Sequence, residues 1–215
     1  ALRDEMPQVR QPVVFVLGNI GDARAVRLLV HTLRGDETDS VRAAAATALG
    51  QLGDPRAVNP LMHAVLTDAD PEVRAAGVTA LGQLGNPRGL DAVIQAMDDA
   101  ELSVRRAAVD TLGQWRDPRG LDALVRALND KHFVVRQAAA SALGQWRDPR
   151  VFEPLLVTAL NGTDWGTRDA ACDALLPHIL ADPGAFLARP SHQRHRLEQL
   201  VRDLHSRRIR DALCG

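Results

Sequence analysis

Four of the seven histidines fall late in the chain, at His178, His192, His195 and His205. Side chains three residues apart share a helix face, so His192 and His195 have the spacing of two metal ligands. No cysteine or carboxylate completes such a set. Cys172 and Cys214 form neither a metal-type spacing nor a disulfide framework. No nucleophile elbow, phosphate loop or zinc motif occurs. The histidines therefore read as a solvated helix face and Cys172 as a packed residue. No catalytic residue, metal or cofactor is assigned.

A different constellation recurs. Asp36/Arg42, Asp68/Arg74, Asp99/Arg105 and Asp130/Arg136, with Asp4/Arg10 before them, are acid–base pairs always six residues apart. Presence in all five regular copies marks them as structural rather than catalytic.

These pairs sit in a repeat whose clearest copy runs from Thr38 to Leu66. Val-Arg falls at 9, 41, 73, 104 and 135, with Thr167-Arg168 as a degenerate sixth, so the steps are 32, 32, 31, 31 and 32 residues. Each copy predicts two helices. Helix A opens with Asp-Pro-Arg: Asp54, Asp117 and Asp148 are N-caps, and the prolines that follow take the first helical position, where a missing N–H costs nothing. Apolar residues then recur at helical spacing, as at Val58, Leu61, Met62 and Val65, or Leu121, Leu124, Val125 and Leu128. Helix B packs through Val41, Ala44, Ala45, Ala48, Leu49 and Leu52, alanine allowing close approach. Gly53 and Gly85 stand where a left-handed C-cap is needed, and Arg116 and Arg147 replace them later. Alignment places Ala1-Leu2 at the end of a helix A, leaving the apolar side of the first helix B without a neighbour and open to association.

The pattern decays from Gly166, with Pro177 where the regular copies from Gly50 onward have Gln. Asp182-Pro183 opens a short helix that Pro190 stops. A last helix from about Ser191 carries Leu197, Leu200, Val201, Leu204, Ile209 and Leu213 on one side. The organisation read here is a repeat array over residues 1–180 closed by capping helices over 181–215.

With 46% hydrophobic but only 3% aromatic residues, the core must be aliphatic. A net charge of −1 excludes both a polyanion mimic and a broadly basic nucleic-acid binder. No apolar run reaches membrane-spanning length, and cysteine usage points to a reducing, cytoplasmic setting.

The combination of D-x4-VR, AAxALG and LGDPRA across residues 1–178 resembles HEAT-like repeats of the short, bilin-lyase type. The resemblance implies an all-α, right-handed α-α superhelix of about six helix pairs, a solenoid whose Asp and Arg pairs link neighbouring repeats. Gly162 takes the Asp position in the sixth copy, which removes that rung. HEAT-type di-iron hydroxylases use His-Glu ligands, and no His-Glu dipeptide occurs here. The resemblance also implies that B helices line the concave face.

At 100° per residue the equivalents of 43, 46, 47 and 50 point away from the packing side, with 51 at the edge. Position 46 stays apolar and 50 is Gly in five copies, so 43 and 47 are the variable pair. The partner site expected from the last three copies is Arg106, Asp110, Gln114, Gln137, Ser141, Gln145, Asp169 and Asp173. Trp115 and Trp146 join it unless they fill the core at the position of Leu52 and Leu84. The expected function is a non-catalytic protein-binding scaffold. One alternative, implied by the resemblance, is an accessory subunit of bilin attachment or removal. A second is nucleic-acid binding through the Arg-rich stretch from Arg189, with seven Arg against three acids. The acidic groups on the B helices and the missing aromatic interleaving oppose that second alternative.

Overall fold

The computed structural model describes residues 4–181 and the single positions 190, 191, 195, 198, 199 and 202. The expected cap over 181–215, with His192, His205 and Cys214, otherwise lies outside the described residues. Among the described residues every regular element is helical. The second helices of the repeats are α1 (Pro7–Ile20), α3 (Asp39–Leu52), α5 (Pro71–Leu84), α7 (Leu102–Trp115), α9 (Phe133–Leu143) and α11 (Trp165–Ala181). The first helices are α2 (Ala25–Gly35), α4 (Val58–Thr67), α6 (Leu90–Ala96), α8 (Leu121–Ala127) and α10 (Phe152–Asn161).

The chain packs as two compact units divided between Ala123 and Leu124. In the first, α1, α3, α5 and α7 lie side by side, and α2, α4 and α6 each pack on the second helix that follows them. In the second, α11 packs against both α9 and α10. The cores are aliphatic, as the composition requires. Leu29, Leu49, Leu61, Leu81, Leu90 and Leu112 are fully buried in the first unit, and Leu124, Leu143, Leu155, Leu156 and Leu175 in the second.

The Asp-Pro-Arg signature starts a single 3₁₀ turn that leads into the α-helix. Asp54 accepts a hydrogen bond from the Arg56 N–H and pairs with its guanidinium, and Asp117/Arg119 and Asp148/Arg150 repeat the arrangement. Those hydrogen bonds hold the Asp54 carboxyl at about 2.

Three second helices, α1, α3 and α5, end on a left-handed glycine, whereas Gly144 and Gly162 close α9 and α10 at negative φ. Gly21, Gly53 and Gly85 have φ of 72°, 67° and 59°. The two arginine replacements behave differently. Arg116 is forced into the same left-handed conformation at φ 51°, whereas α9 ends early, at Leu143, and no positive φ is needed at Arg147. A left-handed non-glycine residue costs on the order of 1 kcal/mol. Arg116→Gly is therefore expected to stabilise the protein by about that amount in chemical denaturation, while Arg147→Gly gains nothing.

The second helices approach one another through glycine. A Cβ added at Gly18 would lie 2.8 Å from the Ala48 Cβ, at Gly50 2.8 Å from the Ala80 Cα, and at Gly144 2.7 Å from the Ala174 Cα. This corrects the assignment of positions 46 and 50 to the outward side: Ala46 is fully buried and Gly50 is buried. A helix flanked on both sides by other second helices, and backed by its first helix, has only a narrow free strip. Thr47 and Gln51 remain exposed on it.

Candidate protein-binding clefts and the ladder that positions them

The Arg of each pair reaches in two directions. Arg74 Nη1 donates to the carbonyls of Asp68 and Ala69 in its own turn, both at 3.0 Å. Its Nε and Nη2 grip the Asp99 carboxylate of the next repeat at 2.8 and 2.9 Å. Arg10 does the same with Asp36, and Arg42 with Asp68. Arg105 Nη1 donates to the carbonyls of Asp99 and Ala100. The carboxylates are oriented by backbone N–H groups two residues on, from Thr38 to Asp36, Asp70 to Asp68, Glu101 to Asp99 and His132 to Asp130. Each Asp six residues upstream thus offers its carbonyl to the Arg, and the carboxylate comes from the following repeat.

The rung that leads into the sixth copy exists, contrary to the reading of Gly162. Arg136 pairs with Asp164, two residues past the vacated position, and Asp164 also accepts from the Thr167 N–H at 2.7 Å, capping α11. Partial burial alone would push the carboxyls of Asp36, Asp68, Asp99 and Asp164 up. The Arg hydrogen bonds, the backbone N–H donors and the guanidinium charges outweigh it and hold all four below the usual carboxylate range.

With the joints fixed, the free strips of adjacent second helices face across open clefts. Between α5 and α7 lies one of about 570 Å³. Ala75, Ala76 and Ala107 line it together with the polar side chains of Glu72, Thr79, Gln83, Arg106, Asp110 and Gln114. Arg106 and Asp110 are exposed and bridged, with Nε 2.9 Å from the carboxylate. Between α9 and α11 lies a cleft of about 300 Å³, where Gln137, Ser141, Asp169 and Asp173 stand around Gly144, Ala170 and Ala174.

The expected partner-site residues therefore fall in two places. Arg106, Asp110 and Gln114 line the first cleft; Gln137, Ser141, Asp169 and Asp173 line the second. Gln145 is exposed beside Gly144 without lining either cleft. Trp146 leaves the candidate set, because at 6% exposure it is a core side chain, and its Nε1 has no hydrogen-bond partner among the described residues. Trp115 is half-buried, with its Nε1 donating to the Gly82 carbonyl at 3.1 Å, so it serves the α5–α7 joint. Sequence reasoning missed Glu72 and Gln83 because it took its candidates only from the last three copies. The glutamine repeated at 51, 83, 114 and 145 was the signal available.

Cys172 is packed, at 3% exposure. Among the described residues no group of three His, Cys, Asp or Glu is placed to hold a metal ion. No described helix is long and apolar enough to cross a membrane.

The family of HEAT repeats matches residues 1–82, 34–110, 59–142 and 90–176 in overlapping segments. The chain belongs to the HEAT repeat family. A comparison with curated proteins returned no match. Among solved structures, these HEAT repeats are similar to the complex of CpcE and CpcF of phycocyanin lyase from Nostoc sp. PCC7120. The identity is 23%, the TM-score 0.61, and 94% of this chain and 91% of that chain are covered. YibA from Escherichia coli is similar at 22% identity and TM-score 0.63, covering 87% of this chain and 73% of that one. A computationally designed armadillo repeat protein for modular peptide recognition is similar at 18% identity and TM-score 0.54, covering 81% and 95%. At these identities the likeness is one of fold.

Proposed function

We propose that the chain is a non-catalytic protein-binding scaffold, and that its clefts take a segment of a partner protein carrying basic side chains. The observation that carries this reading is the lining of the α9–α11 cleft. Two carboxylates, an amide and a hydroxyl surround small residues, and no basic or large apolar side chain intervenes. Small residues let a partner main chain approach, and carboxylates across an interface select the sign of the charge that enters. The α5–α7 cleft leans the same way, with Glu72 and Asp110 against Arg106. Phosphate is disfavoured by the same carboxylates. Neither cleft is lined by an aromatic residue, His or Cys that would hold a tetrapyrrole, so the bilin-handling alternative draws on fold likeness alone.

Fluorescence anisotropy with labelled (KR)4 and (ED)4 peptides on the full chain tests the reading. Saturable, salt-sensitive binding of (KR)4 alone is expected, weakened at least about tenfold by Asp169→Asn with Asp173→Asn, which is about 1.4 kcal/mol. Equal affinity of the two peptides, or no effect of the double substitution with the helical circular dichroism retained, would overturn it.

A further inference from the structure

One turn before the lining of the α9–α11 cleft, towards the starts of its two helices, the chemistry changes. Phe133 precedes Gln137 and Ser141 by four and eight residues, and Trp165 precedes Asp169 and Asp173 by the same steps. Each ring therefore continues the row of its helix that faces the cleft. Gln137 of α9 reaches the start of α11: its Oε1 lies 3.7 Å from where a Cβ on Gly166 would stand, and glycine adds no side chain of its own beside Trp165.

Both rings are exposed, Phe133 at 50% and Trp165 at 42%. The chain has only four Phe and three Trp, and among the described residues Phe15 is the one further exposed Phe or Trp. The two share one position of the repeat, where the earlier copies carry Pro7, Asp39, Pro71 and Leu102. A helix start favours proline or an acid there, so the local backbone does not call for a ring. Phe133 is also held in place. The His132 ring stacks on it with centroids 5.0 Å apart, and His132 Nδ1 is itself fixed by the Val134 N–H at 3.3 Å.

Aromatic faces beside carboxylates separate one cation from another. An ammonium group is a compact, strongly hydrated charge that gains little over a ring, whereas a guanidinium is planar and weakly hydrated, and it stacks on an aromatic face while its edge still donates to a carboxylate. Residues one helical turn apart, as Trp165 and Asp169 are, have Cβ atoms about 5–6 Å apart, which a single guanidinium can span. We propose that Phe133 and Trp165 make the α9–α11 cleft selective for arginine over lysine in the partner segment, an inference that rests on the binding reading above. The guanidinium lies on a ring at the start of the cleft and turns its N–H edge to Asp169, and Asp173 receives the next basic side chain along the segment.

Anisotropy titrations of the full chain with labelled (RG)4 and (KG)4 peptides test it. (RG)4 is expected to bind at least about tenfold more tightly. Phe133→Leu with Trp165→Leu installs the residue that α7 carries at this position, keeping apolar bulk and removing the aromatic faces. That variant is expected to bring the two peptides to within about twofold of each other, with the helical circular dichroism and the affinity for (KG)4 unchanged. Asp169→Asn with Asp173→Asn weakens both peptides, so charge selection and arginine selection are read separately. Equal binding of the two peptides by the wild-type chain while (KR)4 is still preferred over (ED)4 overturns the arginine reading alone, and binding of neither overturns both readings. A preference that survives the leucine pair, or equally tight binding of (LG)4, would also sink it, the latter by showing a plain apolar subsite. Sedimentation in which the wild-type chain self-associates and the leucine variant does not would assign the rings to a second copy and count equally against it.

Discussion

Gly50→Leu is expected to destabilise the first unit by at least about 3 kcal/mol, the upper range for overpacking a rigid contact. The added Cβ alone would sit 2.8 Å from the Ala80 Cα and 2.9 Å from its Cβ, so the obstacle is backbone and cannot rotate aside. Gly→Ala in a helix ordinarily gains up to about 1 kcal/mol in propensity, which is too little to reverse the sign. Even Gly50→Ala should therefore lose stability. Gly77 supplies the contrast. A Cβ there meets only the Val65 Cγ2 methyl at 2.8 Å and no neighbouring backbone nearer than 3.6 Å, so Gly77→Ala is expected to be far milder. Urea unfolding of the three variants checks the order, and a neutral Gly50→Leu would show that α3 and α5 are not held at this distance.

Arg74→Met is expected to cost about 3 kcal/mol, near the lower end of what breaking a buried pair from one side removes. The Arg74 and Asp99 side chains are 15% and 13% exposed, and methionine leaves two carbonyls without the guanidinium donor and the Asp99 carboxylate with only the Glu101 N–H among the donors described above. The pH dependence has a definite sign. The folded-state carboxyl of Asp99 is held below its unfolded value of about 3.9, so its contribution is present above that pH and is lost as pH falls through the lower folded value. The wild-type chain should therefore lose stability steeply below about pH 4. The gap between it and Arg74→Met should narrow over the same range. A gap that is constant from pH 7 to pH 3 would show that the pair adds nothing electrostatic.

The repeat boundaries, the helix pairs and the Asp–Arg register were legible in the sequence because each is stated several times over. The failures arose where a single copy departs from the rest or where packing is two-sided. Asp164 replaces the missing rung from two residues away, a shift that alignment to Gly162 hides and only the reach of Arg136 reveals. The burial of Ala46 and Gly50 follows from helices on both flanks, which a one-sided helical wheel does not contain. The different fates of Arg116 and Arg147 depend on where α9 ends, and no local residue type announces that. The clefts were half legible. Their variable residues were read together with Gln114, whereas the same glutamine one copy earlier, Gln83, was passed over.

Each guanidinium of the ladder ties two carbonyls behind it to one carboxylate ahead of it, so the turn before one second helix and the turn before the next share a single side chain. Under tension along the stack, such a side chain acts as a shear pin. Its hydrogen bonds share one rigid guanidinium, so they are expected to give way together and pass the load to the next pin. The array formed by Arg10, Arg42 and Arg74 is thereby divided into segments of one repeat each. A fully drawn repeat of 32 residues releases roughly 110 Å of chain at about 3.4 Å per residue. The same residues that give the repeats their common register also make each joint a discrete mechanical fuse, and peeling can stop at any of them.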